Sequence, residues 1–225
     1  MLVQEPWAIF AVRYRRDIHH SGTPRRKGFG MRICIFCGSS TGYDPAYGEG
    51  AAVAARSIAL NGDALVYGGG RVGLMGVVAD AALGAGGEIV GVMPRPLVER
   101  EIAHRGLHKL HVVETMHDRK TTMSSLADAF LALPGGAGTL EEVFEQWTWG
   151  QLGIHCKPCG FLNLKGYFEP IRAMVNKMGS EGFLLPQFAN MLTFSDSIEE
   201  ILAGFRSYVP PPSKWTSAAS GAVRP

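Results

Sequence analysis

The run Asp128-Ala-Phe-Leu-Ala-Leu-Pro-Gly-Gly-Ala-Gly-Thr-Leu-Glu-Glu142 passes from an apolar strand (128–133) through a glycine loop, Pro134 to Thr139, into a helical repeat from Leu140 to Leu152. A strand that delivers the chain through glycines into a helix opens a parallel βα unit, because the crossover helix must fold back over the sheet. The same order recurs on both sides. Short β-type runs stand at 31–37, 63–67, 88–93, 109–113, 158–163 and 191–194. Apolar positions at helical spacing fill Ala46 to Leu60, Leu74 to Leu83, Tyr167 to Met178 and Ser197 to Phe205. This alternation predicts an α/β fold, a Rossmann-like doubly wound parallel sheet of about seven strands in a single domain. Ligands of such sheets bind at the carboxyl ends of the strands, in the loops that lead into helices.

The flanks read differently. Residues 1–30 mix charged, aromatic and glycine residues without periodicity, as a flexible extension or a start codon assigned too early would. Pro210-Pro211-Pro212 breaks any helix and the residues after it are small and polar, so 210–225 reads as a disordered tail. The functional domain is expected at 31–209. With 225 residues, 46% apolar and 19% charged, the chain can bury one sizeable core. A net charge of +2 gives no reason to expect a nucleic-acid partner or a membrane surface. No apolar run approaches the roughly 18 residues of a span, and no secretory leader is evident. A cytoplasmic enzyme is the expected class.

The four cysteines form two C-x-x-C pairs, Cys34/Cys37 and Cys156/Cys159. More than a hundred residues separate the pairs, and the first lies in a strand run, where an odd separation points the thiols to opposite faces. Buried structural thiols are expected, and no acid or histidine spacing implies a metal.

Three strand runs are followed at once by small-residue loops: Gly38-Ser39-Ser40, Gly68-Gly69-Gly70 and Pro134 to Thr139. Glycines there let backbone N–H groups approach an anion at the positive end of the next helix. Any one loop is explained equally well as a tight turn; three at one sheet edge point to a phosphorylated ligand. Gly68-x-Gly70-x-x-Gly73 fits the dinucleotide fingerprint, but the acid that should end the next strand is missing, since Glu88 precedes it. Neither a G-x-x-x-x-G-K-[ST] phosphate loop nor a G-x-S-x-G elbow is present.

The run Pro134-Gly-Gly-Ala-Gly-Thr-Leu-Glu-Glu142, with Met116-His117-Asp118-Arg119-Lys120 one strand earlier, resembles the paired signature of the Lonely Guy proteins, the cytokinin riboside 5′-monophosphate phosphoribohydrolases. The similarity continues through Cys37-Gly38-Ser39-Ser40, Gly68 to Gly76 and Thr148 to His155, and spans about 31–205. It implies hydrolysis of the N-glycosidic bond of a cytokinin riboside 5′-monophosphate or AMP, without a cofactor, on a homodimer. It further implies Arg119 and Glu142 as catalytic residues. Substrate contacts would then fall on Glu101, Lys120, Gly136, Ala137, Gly138, Thr139, Leu140, Glu141 and Thr148. The Trp147-Thr148-Trp149-Gly150 version resembles the dimeric members. Asp118 departs from the family, which often carries a longer acid there.

The residues themselves support two readings at Glu142. A carboxylate in the first turn of a helix, beside amides that hold a phosphate, lies about a ribose away from it and can stabilise an oxocarbenium ion. Thr139-x-x-Glu142 is equally a capping box. Glu145, one turn on, can support either. Arg119 offers a planar cationic fork at a helix start, where the dipole disfavours a cation, which points to a ligand. His117 reads as a helix-entry residue, and Trp147 and Trp149, with Phe144 and Met174, as packing or a subunit interface. Two competitors remain: a nucleotide-binding sensor without turnover, and a pyridoxal-phosphate decarboxylase with Lys120 as its Schiff-base lysine.

Overall fold

A computed structural model describes residues 30–100 and 102–215. In chain order the elements are β1 (Arg32–Phe36), α1 (Pro45–Leu60), β2 (Ala64–Tyr67), α2 (Gly73–Gly84), β3 (Ile89–Pro94), α3 (Arg95–Glu99), β4 (Lys109–Val113) and α4 (Met116–Leu126). There follow β5 (Ala129–Ala132), α5 (Ala137–Gln151), β6 (Cys159–Leu162), a 3-10 turn (Leu164–Gly166), α6 (Glu169–Ser180), α7 (Pro186–Ala189), β7 (Leu192–Ser195) and α8 (Ile198–Ser207). The strands form one sheet in the order β4-β3-β2-β1-β5-β6-β7, every pair parallel. The expected doubly wound sheet of seven strands is therefore what the chain forms.

Both faces of the sheet are covered, which is why the central strands β2, β5 and β6 are buried throughout and read as continuous apolar runs. One core packs Ala51, Ala54 and Ile58 of α1, Val78 and Ala82 of α2 and Ile201 and Phe205 of α8 against Ile33, Ile35, Leu65 and Leu131. The other packs Met123 of α4, Val143 and Trp147 of α5, Val175 of α6 and Phe188 of α7 against Cys34, Phe36, Val66, Phe130 and Phe161. The small residues of α1 and α2 let two helices lie close on one face, while aromatic side chains fill the other.

The strand runs read from sequence match within a residue or two. Helices α3 and α7 were not among the helical stretches, and α4 was read only as a helix start at His117 and Arg119, for a physical reason. Two are a turn or so long, and α4 buries only Met123 and Ser124, so its sequence carries no apolar stripe. Its start is set by Thr115, whose hydroxyl accepts from the Asp118 N–H at 3.0 Å while Asp118 accepts from the Thr115 N–H at 3.1 Å. The capping box thus belongs to α4, and the one weighed as an alternative at Thr139 and Glu142 does not form. Helix α5 begins earlier, at Ala137 with Gly136 as its cap, which makes Thr139 its third residue and puts Glu142 in the second turn rather than the first.

Cys34 is sealed in one core and Cys37 packs against the other, as the odd spacing requires. Cys159 is buried too, but Cys156 is exposed in the loop before β6, against the expectation of buried thiols. Readings placed on residues 1–29, Glu101 and 216–225 lie outside the described residues. Within the described part of the tail, Pro212 accepts from Gln187 Nε2 at 3.4 Å and the Lys214 ammonium stands 5.6 Å from the Phe188 ring centre.

Candidate active site

The strand order reverses between β1 and β5, whose chains leave toward opposite faces, and the crevice at that switch is where such sheets bind ligands. The glycine loops meet there. Gly38 N–H donates to the Pro134 carbonyl at 3.0 Å, and Leu74 N–H to the Gly38 carbonyl at 3.0 Å. Gly73 has φ +57, and a β-carbon on it would stand 2.2 Å from the Ser39 carbonyl carbon, so the second loop nests against the first only with glycine at that position. Tyr67, fully buried, donates its hydroxyl to the Gly70 carbonyl at 3.1 Å and holds the middle loop.

The third loop ends at the amino end of α5. Gly136, Ala137 and Gly138 are exposed, and no side chain caps the helix. The first N–H groups of a helix have no acceptor within it, so this end offers several donors and a positive dipole to an anion.

Arg119 on α4 and Glu142 on α5 come together beside this end. Nη1 of the arginine lies 3.4 Å from Oε1 of the glutamate, and each side chain is only 13% exposed. Arg119 Nε donates to the Val92 carbonyl at 3.3 Å, and its guanidinium passes over Gly68, where a β-carbon would stand 2.1 Å from Nη2. Gly68 is thus a close-approach glycine for the arginine. Burial pushes the Glu142 carboxyl above its ordinary range, and the nearby Arg119 charge opposes the shift. A charge-assisted bond of full strength is shorter, about 2.7–2.9 Å, so the carboxylate is buried yet loosely held.

Lys120, by contrast, is fully engaged: its ammonium lies 2.6 Å from Glu141 and 3.0 Å from Glu145, and its pKa is raised, first by the Glu141 hydrogen bond. It ties α4 to α5 beside the Arg119 and Glu142 pair. Gly38 is buried, Ser39 is exposed, and both stand at the same sheet edge. Thr139 is buried under the loop and Leu140 half-buried. Thr148 is exposed and lies six residues after Glu142, about 9 Å further along the same helix and off its face, so one chain does not bring the two together. Downstream of Glu101, the Ile102 carbonyl accepts from Arg71 N–H and His104 N–H donates to the Gly69 carbonyl, each at 2.9 Å, so residues 102–104 lie against the middle glycine loop.

His117 is exposed at the start of α4. Trp147 is core, donating Nε1 to the Phe188 carbonyl at 2.9 Å and standing edge-on to Phe144. Sequence reasoning missed the Val92 carbonyl and Tyr167, whose hydroxyl donates to the Gly135 carbonyl at 2.7 Å. A backbone acceptor leaves no trace in a sequence, and Tyr167 was read only as the start of a helical stretch.

A doubly wound sheet with nested glycine loops, an uncapped helix end and a largely buried arginine and carboxylate at the switch point defines an α/β domain with an anion-receptive crevice at its carboxyl edge. The model of a family described as "Possible lysine decarboxylase" matches residues 75–205. A cytokinin riboside 5′-monophosphate phosphoribohydrolase of Rhodococcoides fascians is 46% identical over 176 residues, 78% of this chain and 89% of that protein. One of Arabidopsis thaliana is 41% identical over 189 residues, 84% and 89% of the two chains. The chain belongs to this family of phosphoribohydrolases. Among solved structures, the molybdenum cofactor binding protein of Rippkaea orientalis has a TM-score of 0.60 at 21% identity, over 79% of this chain and 96% of that one. The molybdenum cofactor carrier protein of Chlamydomonas reinhardtii has 0.60 at 19%, over 78% and 95%. At such identity the likeness speaks for the fold alone.

Proposed function

We propose that this chain hydrolyses the N-glycosidic bond of cytokinin riboside 5′-monophosphates or AMP, releasing the free base and ribose 5-phosphate. The observation that carries the proposal is the buried, loosely held Glu142 beside the uncapped end of α5. The 5′-phosphate binds the N–H groups of Gly136 to Thr139, which places C1′ of the ribose near the carboxylate. As the bond from C1′ to the base nitrogen breaks, positive charge develops on the sugar, and the Glu142 carboxylate stabilises it. Water attacks C1′ as the bond to the base nitrogen breaks, Glu142 accepts the water's proton and passes it on to the departing nitrogen, so that one water is consumed per base released and the carboxylate is regenerated. Arg119 keeps the carboxylate ionised and oriented through their shared contact.

Lys120 tests the decarboxylase reading that the family model's description raises. A Schiff-base lysine must lose its proton readily, whereas Lys120 is clamped between two carboxylates that raise its pKa. Lys157 does have a lowered pKa, from burial, but it precedes β6 at the amino edge of the sheet, away from the glycine loops.

The proposal extends to a homodimer: Thr148 is exposed on α5 and Met174 on α6, and a second copy would explain a substrate contact that one chain leaves apart from Glu142. A cytoplasmic setting suits the unpaired thiols of Cys34 and Cys159. No described helix is long and apolar enough to cross a membrane. The test is turnover of AMP and of isopentenyladenosine 5′-monophosphate in parallel, with the free base resolved by chromatography. Base release by the wild type and its loss in Glu142→Ala are expected. Saturable binding without release would replace the enzyme by a sensor.

A further inference from the structure

We infer that Tyr167 is a positioning residue for the phosphate end of the site: its hydroxyl holds the Gly135 carbonyl so that the N–H of Gly136 faces the 5′-phosphate. The inference rests on the nucleotide reading above. Tyr167 Oη donates to the Gly135 oxygen at 2.7 Å. In a planar trans peptide the C=O of one residue and the N–H of the next point in opposite directions. Fixing the Gly135 carbonyl therefore aims the Gly136 N–H away from Tyr167, toward the open side of the loop.

That side has room. A β-carbon on Gly136 would meet nothing within 4 Å, whereas one on Gly135 would stand 2.2 Å from Thr139 Oγ1 and 2.7 Å from the Gly38 nitrogen. Gly135 is thus packed in place while Gly136 is open, and the Tyr167 hydrogen bond fixes the orientation of the peptide that joins them. Without the hydroxyl, the flexible Gly135-Gly136 pair could turn its carbonyl toward the anion instead.

The tyrosine is itself well placed for the task. Its ring stands edge-on to Tyr47, with centroids 5.6 Å apart, and to Phe168 at 5.0 Å. The turn that carries it is organised by Asn163, whose side chain accepts from the Phe168 N–H at 2.7 Å and whose carbonyl accepts from Gly166 at 3.1 Å. Lys165 takes the left-handed φ of 54 and pairs with Asp44, the residue whose side chain caps α1. So β1's loop, β6's loop and the glycine loop are joined through one hydroxyl and one ion pair. Tyr167 touches no reacting atom, and its effect falls on binding of the phosphate rather than on bond cleavage.

Tyr167→Phe in the full chain keeps the ring contacts and removes only the hydroxyl. The expected result is a KM for AMP raised about 3–10-fold with kcat within about twofold, the signature of lost ground-state binding. Competitive inhibition by ribose 5-phosphate weakens by the same factor, while the affinity for adenosine, which lacks the phosphate, is unchanged. A merely structural role would weaken adenosine and AMP together. That outcome, or no change in either, overturns the inference. If the wild type turns over no nucleotide, the proposed reaction fails on its own, and the AMP-to-adenosine ratio of Kd values from calorimetry still decides the role of Tyr167.

Discussion

Two arginine and carboxylate pairs sit at opposite ends of the sheet, and they are built differently. At the amino edge, Asp63 precedes β2 with its side chain 1% exposed; it accepts from Met31 N–H at 2.8 Å and from Arg206 Nη2 at 2.6 Å. Both oxygens are satisfied by groups that belong to the fold, and Arg206 keeps 45% of its side chain in solvent. At the carboxyl edge, Glu142 is 13% exposed and its ion pair with Arg119 spans 3.4 Å, with the arginine withdrawn from solvent to the same extent. A buried charge without full hydrogen bonding costs stability. The first pair therefore serves the fold, and the second holds charge in readiness for a ligand that completes it.

The largest expected effect separates the two pairs outright. Glu142→Ala and Arg119→Ala should each lower kcat/KM for base release by about 10²–10⁴-fold, measured by chromatography of the free base. Glu142→Gln should lose comparable activity while its melting temperature stays within about 3 °C of wild type, because relief of a buried charge and release of Arg119 oppose one another. A large fall in melting temperature with Glu142→Gln would erase the contrast.

The reverse pattern is expected at the amino edge. Asp63→Ala leaves the Met31 N–H and Arg206 without their acceptor, and should cost about 1.5–3 kcal/mol in denaturant unfolding. Its kcat and KM for AMP should match wild type at temperatures where it is folded. A change in kcat without a change in stability would mean that the two edges communicate.

Only one side of this contrast was legible in the sequence, at Arg119 and Glu142, and the Asp63 and Arg206 pair was hidden because its partners are 143 residues apart. The strand runs and the three loops at one edge follow from period and glycine placement, both local properties. Arg119 stood out because a cation at a helix start runs against the dipole. What failed was local bookkeeping at α5: Thr139 looked like a cap because threonine followed by glutamate three residues on fits that motif, yet the glycines before it let the helix begin at Ala137. The true box uses Thr115 and Asp118, which also accounts for the shorter acid at 118, since that side chain returns to the Thr115 N–H. Distances between strands were never in reach. That Lys120 is spent on Glu141 and Glu145, that Gly68 clears a path for Arg119, and that Tyr167 meets Gly135 all depend on elements that the sheet order alone brings together.

The smallest expected effect is also the most specific to Glu142. Its carboxyl titrates above the ordinary 4.5, chiefly through burial, with Arg119 pulling the other way. If the ionised form is what stabilises the sugar cation, kcat/KM falls as pH drops through that raised value, so the acid limb lies higher than for an exposed glutamate. Replacing Arg119 by Gln removes the opposing charge and should move the limb of the residual activity higher still. Stability carries the opposite sign. A carboxyl whose folded pKa is raised binds its proton more tightly folded than unfolded, so its contribution is fully present below the unfolded pKa and is lost as pH rises through the folded one. Melting temperatures of wild type and Glu142→Gln, compared from about pH 7 down to about pH 4, should therefore shift in favour of the wild type on acidification. Parallel curves would mean that Glu142 is hydrated like any surface carboxylate, and the contrast between the two edges of the sheet would lose its electrostatic basis.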